Sequence, residues 1–253
     1  MEKHSFEIEI KSLLGGKGKA DELVAKMRQQ DKNLKEIGSH KQLNHYFIDG
    51  NLVSLYENVR DLITDEPLRK KLEDLSENAK DFSVRTRLAD NNVLLVVKAS
   101  IDDTTSSNGT ARLEWEAQLD NLPVRRPVRQ SLGVGGSLGE RGQLEELDKL
   151  VLKSGFRYQA KWSRERSEYK YHPSDNEEMN ISIDKNAGYG YLAEFEMIAE
   201  DKSKSDELKS KIRNFMKDLG AEELMQDRLA RMFDFYNKNW NDYYGRDKIF
   251  NIE

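Results

Sequence analysis

The chain has 253 residues, enough for one sizeable hydrophobic core, and nothing in its composition marks a break between separate domains. Charged residues make up 34% and apolar residues 37%, with a net charge of −5, which argues against a general nucleic-acid binder and its basic excess. The lack of cysteine excludes disulfides, thiolate catalysis and cysteine-ligated zinc; with no apolar run long enough for a membrane span and no signal-peptide core at the start, a cytoplasmic location is expected.

Phe6-Glu7-Ile8-Glu9-Ile10-Lys11 alternates apolar and charged residues, the mark of a strand with one polar face. Gly15, Gly16 and Gly18 break it, and Ala20 to Gln30 reads as an amphipathic helix. A second strand is expected at Lys41 to Asp49. Residues 51 to 80 carry leucines at helical spacing and read as a helical hairpin inserted between strands, with Pro67 suited to the first turn of its second helix. Strands return at Phe82 to Leu88 and Val93 to Ser100, then at Ala111 to Leu119 after a polar loop. Glycine-rich Ser131 to Gly142 precedes a helix over Gln143 to Ser154. Strands follow at Phe156 to Tyr171, Asn180 to Asp184 and Tyr191 to Ile198, and helices at Ser205 to Leu219 and from Glu222 to about Tyr244. The class is α+β, with eight mostly antiparallel strands and helices at fixed places around them.

Which residues share a strand face is the informative feature. Glu7, Glu9 and Lys11 oppose Phe6, Ile8 and Ile10; Arg85 and Arg87 share a face, as do Arg112, Glu114 and Glu116. So do Arg164 and Arg166, Ser182 and Asp184, and Glu194 and Glu196. A half-exposed sheet explains any one such strand. A solvent face, however, usually mixes Thr, Ser, Gln and Lys, and these strands repeat carboxylates and guanidinium groups instead. The pattern suits a closed eight-stranded barrel with a charged lumen and its apolar outer side covered by helices. So many lumen charges are affordable only if they pair or hold ions and ligand. Clustered carboxylates bind hard divalent ions, and arginine and lysine grip phosphate oxygens, so a metal-bridged polyphosphate uses both sets.

Glu7-Ile8-Glu9-Ile10-Lys11 resembles the ExExK signature of the CYTH superfamily, the triphosphate tunnel metalloenzymes. Further blocks resemble the family's motifs in their order: Gln42-Leu43-Asn44-His45-Tyr46-Phe47, Val84-Arg85-Thr86-Arg87, Lys98, Arg112-Leu113-Glu114, Arg164-Glu165-Arg166-Ser167-Glu168-Tyr169, and Asp184, Gly188, Gly190, Glu194 and Glu196. The resemblance implies a single domain over 1–253, with C-terminal helices from 205 onward packed on the barrel. It implies metal ligation of Mg²⁺ or Mn²⁺ by Glu7, Glu9, Asp184, Glu194 and Glu196, with Glu114 orienting the bases or helping to place a second ion. Lys11, Arg85, Arg87, Lys98, Arg112, Arg164 and Arg166 would hold the triphosphate, and Glu9, Glu196 and Lys11 would take part in catalysis.

The family includes triphosphatases for inorganic, thiamine and RNA substrates and class IV adenylyl cyclases. Hydrolysis is the expected reaction because it needs only the charged lumen; cyclisation of ATP, or a non-catalytic polyphosphate-binding module, is the alternative. Departures are Arg164 in place of the usual lysine and Ala99-Ser100 after Lys98, which leaves the registration of that lysine open. The 51–80 hairpin reads as a lid, a homodimer surface or plain elaboration, and Tyr236 to Tyr244 as a plug or a core cap. Gly15-Gly16-Lys17-Gly18-Lys19 lacks the spacing and the Ser/Thr of a P-loop, Gly133 to Gly139 reads as a flexible linker, and the four histidines have no metal-ligand spacing.

Overall fold

A computed structural model describes residues 6–100, 113–120, 122, 138–174, 177–199 and 202–253. These fall into two compact units, one drawn from 6–40 and 164–253, the other from 41–100 and from within 113–163. The class is α+β, with eight strands that pair antiparallel wherever a register is defined.

The first unit holds β1 (Phe6–Gly15), α1 (Lys17–Gln30), much of the length of a strand over 157–174, and two later strands over 177–186 and 190–199. In chain order the remaining strands are β2 (Lys35–Ile48), β3 (Asp81–Ala89), β4 (Asn92–Ser100), β5 (Leu113–Gln118), β6 (Arg157–Ser174), β7 (Glu177–Asn186) and β8 (Gly190–Ala199). β6, β7, β8 and β1 lie side by side in that order. Alternation decides the faces: Ile8, Ile10, Ile181, Ile183, Phe195 and Met197 are buried on one side. Ala20, Leu23 and Met27 of α1 cover them, joined by Ile212, Met216 and Leu219 of a helix over 205–219. Burying that apolar surface, at about 25 cal/mol per Å², is what fixes the register, because a one-residue slip would turn every acid inward to the helices.

The second unit arranges β2, β3, β4 and β5 in sequence order. Its helices are α2 (Leu52–Val59), α3 (Glu66–Asn78) and α4 (Leu138–Lys153). The Asp65 side chain caps α3 by accepting from Leu68 N, and Pro67 occupies the first turn as its missing N–H allows. α4 packs on β3 and β4, and α3 packs on β5. Val84, Leu88, Leu95, Val97 and Trp115 form the buried side of this sheet.

α5 (Ser205–Leu219) and α6 (Gln226–Asn239) complete the chain's helices in the described residues. Residues 222–225, expected as the start of the last helix, are not helical, and Leu224 N donates to Lys11 O of β1 at 2.7 Å. No pairing closes a barrel among the described residues: the strand order is open, not the expected closed ring. Residues 51–80 do form two helices, α2 and α3, packed on each other.

After α6, residues 248–250 lie against the β7–β8 turn. Gly188 N donates to Lys248 O at 2.9 Å and Phe250 N donates to Gly188 O at 2.8 Å. Gly188 has φ 83°, and a Cβ there would lie 2.8 Å from the Tyr236 ring, so no other residue fits without displacement. Tyr236 and Tyr243 are buried among Tyr189 and Phe250, which makes the Tyr236–Tyr244 segment part of an aromatic core.

Candidate functional site

The polar face of the first unit follows from the β1–β8 register. Glu9 stands opposite Glu196, Lys11 opposite Glu194, and Glu7 opposite Ile198. β7 adds Ser182 beside Glu194 and Asn180 beside Glu196, and β6 adds Arg166 beside Asp184. The side chains then connect. Arg166 makes a bidentate contact with Asp184, at 2.7 Å from each oxygen, and reaches Glu194 at 2.5 Å. Arg164 Nη1 donates to Asp184 Oδ2 at 3.0 Å. Lys11 Nζ lies 2.5 Å from Glu9 and 3.1 Å from Glu194.

Charge sets the protonation of this face. Burial alone would lower the Lys11 ammonium, but Glu194 and Glu9 outweigh it and raise its pKa above the ordinary value. Arg166 is raised in the same way, with Asp184 and Glu194 opposing burial. Burial pushes the Glu194 carboxyl up, yet Lys11, Arg166 and Arg164 hold it well below the usual range. Glu196 goes the other way: burial and the like charges of Glu7 and Glu9 raise it. The face thus has a base-paired end, at Lys11, Arg164 and Arg166, and an acid-crowded end, at Glu7, Glu9 and Glu196.

The acid-crowded end fits a divalent cation, because a positive charge there relieves the repulsion that raises Glu196. Among the described residues no three acids converge closely enough to form an ion shell by themselves.

In the second unit the polar face carries bases. Arg85 Nη2 donates to Glu114 Oε1 at 2.9 Å, and Lys98 Nζ lies 2.8 Å from Glu114 Oε2. Both oxygens of Glu114 thus face cations. Burial raises the Glu114 carboxyl, but Lys98 and Arg85 overcome it and hold it below its ordinary value. The Lys98↔Glu114 pairing fixes the registration that the sequence left open. Arg87 Nε donates to Asn44 Oδ1 at 3.1 Å, Arg85 Nη1 to the Tyr46 hydroxyl at 3.1 Å, and Arg87 Nη1 reaches Glu116 at 3.4 Å.

Each unit therefore gathers its expected residues on one face: Glu7, Glu9, Lys11, Arg164, Arg166, Asp184, Glu194 and Glu196 in the first, Arg85, Arg87, Lys98 and Glu114 in the second. Arg112 lies outside the described residues, as do the Asn108-Gly109-Thr110 loop and most of the 131–142 glycine-rich stretch. Asn44 and Tyr46, which hold the two β3 arginines, had no role assigned from sequence. Their alternation with Leu43, His45 and Phe47 was the signal, since it places them on the arginines' side of the sheet.

The CYTH domain family profile matches residues 5–229. The chain belongs to the CYTH family. Among solved structures it is similar to a conserved hypothetical protein of Pyrococcus furiosus, at 17% identity and TM-score 0.51 over 86% of this chain and 91% of that one. It is also similar to a Pyrococcus horikoshii protein, at 15% identity and TM-score 0.50, covering 87% of this chain and 96% of that one. A Vibrio parahaemolyticus protein provisionally described as an adenylate cyclase is similar at 11% identity and TM-score 0.52, over 90% and 98% of the two chains. At these identities the likenesses speak for the fold. No curated protein matches the chain. No described helix is long and apolar enough to cross a membrane.

Proposed function

We propose that this protein is a divalent-metal-dependent triphosphatase. The observation that carries the proposal is the division of the first face into an acid-crowded end beside a base-paired end, with Glu9 opposite Glu196 and Lys11 opposite Glu194. A polyanion that carries a cation uses both ends.

Glu7, Glu9 and Glu196, with Asp184 and Glu194 beside them, would hold Mg²⁺ or Mn²⁺. When bound, the ion polarises phosphoryl oxygens and offsets charge on the phosphate chain. Lys11, Arg164 and Arg166 exchange part of their bonding with Asp184 and Glu194 for phosphate oxygens, and Arg85, Arg87 and Lys98 are likewise assigned to phosphate. Because these bases are already oriented by carboxylates, little rearrangement is needed when the ligand arrives. Water attacks the terminal phosphorus as its bond to the bridging oxygen breaks. Glu196 takes the water's proton, with Glu9 as the neighbouring acceptor.

The test is incubation of the purified protein with Mg²⁺ or Mn²⁺ and tripolyphosphate, thiamine triphosphate or ATP, measuring orthophosphate, pyrophosphate and cyclic AMP. Orthophosphate release is the expected result. Cyclic AMP with pyrophosphate would replace hydrolysis by attack of the ribose 3′-oxygen on the α-phosphorus. Tight tripolyphosphate binding without turnover would make the protein a binding module.

A further inference from the structure

Behind the base-rich face of the second unit lies a buried polar group that the proposed reaction does not use. Asp148 is 1% exposed and sits in the apolar stripe of α4, between Leu144, Leu147 and Val151. Its Oδ1 accepts from the Thr86 hydroxyl at 2.6 Å. Its Oδ2 lies 2.7 Å from His45 Nδ1, accepts from the Tyr158 hydroxyl at 2.6 Å and has Lys161 Nζ at 3.8 Å. Thr86 is 0% exposed and His45 3%.

A carboxylate in a helix stripe needs a reason, since apolar residues of similar volume usually stabilise a core as well or better. Its partners supply one. His45 and Thr86 are a cross-strand pair, directly opposite each other on β2 and β3. The pairs on either side are Asn44↔Arg87 and Tyr46↔Arg85, and in each the β2 side chain also hydrogen-bonds the arginine. Strand alternation sends the central pair to the back of the sheet and the two outer pairs to the front.

We propose that Asp148 is a positioning residue for Arg85 and Arg87, clamping from behind the one cross-strand pair that both arginine pairs flank. An apolar residue would bury the same surface, but it would leave this pair free to shear along the strands. With both oxygens occupied, the carboxylate fixes β2 against β3, and with them the directions of the two guanidinium groups and their hydrogen-bond partners. The consequence for binding rests on the proposed role of these arginines as phosphate ligands; the positioning itself does not.

The experiment separates the two. Thr86→Val removes the hydroxyl arm while keeping volume and β-branching, and Thr86→Ser restores it. In the ligand-free protein, the Nε–Hε resonances of Arg85 and Arg87, assigned through Arg→Lys variants, are expected to shift or broaden in Thr86→Val and to return in Thr86→Ser. Tripolyphosphate titrated calorimetrically in the presence of Mg²⁺ should bind about tenfold more weakly to Thr86→Val, with kcat within about twofold, and normally to Thr86→Ser. A purely structural contact would lower the melting temperature and leave both readings unchanged. Unchanged arginine resonances in Thr86→Val overturn the proposal, as does equal loss in Thr86→Ser. Should Thr86→Val not fold, the same readings on Asp148→Asn decide. If the wild-type protein binds no tripolyphosphate, the triphosphatase proposal fails and the arginine resonances alone judge the positioning.

Discussion

The two charged faces solve the same electrostatic problem in different ways. In the first unit, acids outnumber bases, and the excess collects at Glu7, Glu9 and Glu196, where one carboxyl is driven upward by its neighbours. In the second unit the described bases Arg85, Arg87 and Lys98 face Glu114 and Glu116, and neutral Asn44 and Tyr46 each accept one further arginine hydrogen bond. One face is thus short of positive charge and the other is held together by hydrogen bonds to neutral groups. The lesson is that an excess of acid calls for a cation from outside, whereas an excess of base calls for scaffolding from within.

The comparison breaks most sharply if the acid-rich face proves dispensable. Glu7→Gln combined with Glu9→Gln is expected to lower triphosphate turnover on the order of a thousandfold with the melting temperature retained. Full activity in that variant would remove the metal site from the first face. Next in size, Arg166→Met should cost about 3 kcal/mol in urea unfolding, because it leaves Asp184, 1% exposed, and Glu194 facing each other without their shared cation. A loss below about 1 kcal/mol would mean the acids of that pair are already protonated or solvated.

On the base-rich face, Arg85→Lys should raise KM for the triphosphate about tenfold with kcat little changed, since a point charge cannot serve Glu114, Tyr46 and phosphate together. A fall in kcat alone would move Arg85 from binding to chemistry. Acid sensitivity sharpens the contrast further. Burial raises the Asp148 carboxyl, but His45, Lys161 and Thr86 outweigh it and lower it below its ordinary value. Its contribution is therefore complete above the ordinary carboxylate range and is lost as pH falls through the lowered value. The wild type should lose stability below about pH 4 more steeply than Asp148→Asn, measured by thermal unfolding across pH. Equal slopes would show that this carboxylate does not titrate on unfolding. The smallest effect is expected at Glu116, whose side chain is 48% exposed: Glu116→Gln should change stability by less than about 0.5 kcal/mol and turnover by less than about twofold.

Much of the first face was legible because its strands alternate cleanly. Phe6 to Lys11 states both its faces in six residues, and the pairings agree with that division. Lys98 was harder. Its strand reads Val93-Leu94-Leu95-Val96-Val97, apolar on both faces, and Val96 is fully buried on the lysine's own side. Period-two reasoning has nothing to grip there, and only pairing with Glu114 sets the register. Residues 222–225 misled for the opposite reason: Glu222-Glu223-Leu224-Met225 are good helix formers, but the Leu224 N–H bonds Lys11 O of β1 and the helix begins only at Gln226. Asp148 was invisible because a lone acid in a helix reads as surface; its meaning comes from Thr86 and His45, distant in sequence.

The docking of residues 248–250 on Gly188 has a consequence for the order in which the molecule is made. Asp184 and Glu194 lie on either side of the turn that these residues pin. During synthesis β7 and β8 emerge well before Lys248 and Phe250 do, so the turn waits for its two backbone hydrogen bonds and for the Phe250 ring. Such a contact, far apart along the chain, is slow to form and closes late. A fusion joined immediately after residue 250 would therefore load a contact that pins the turn between the strands carrying Asp184 and Glu194.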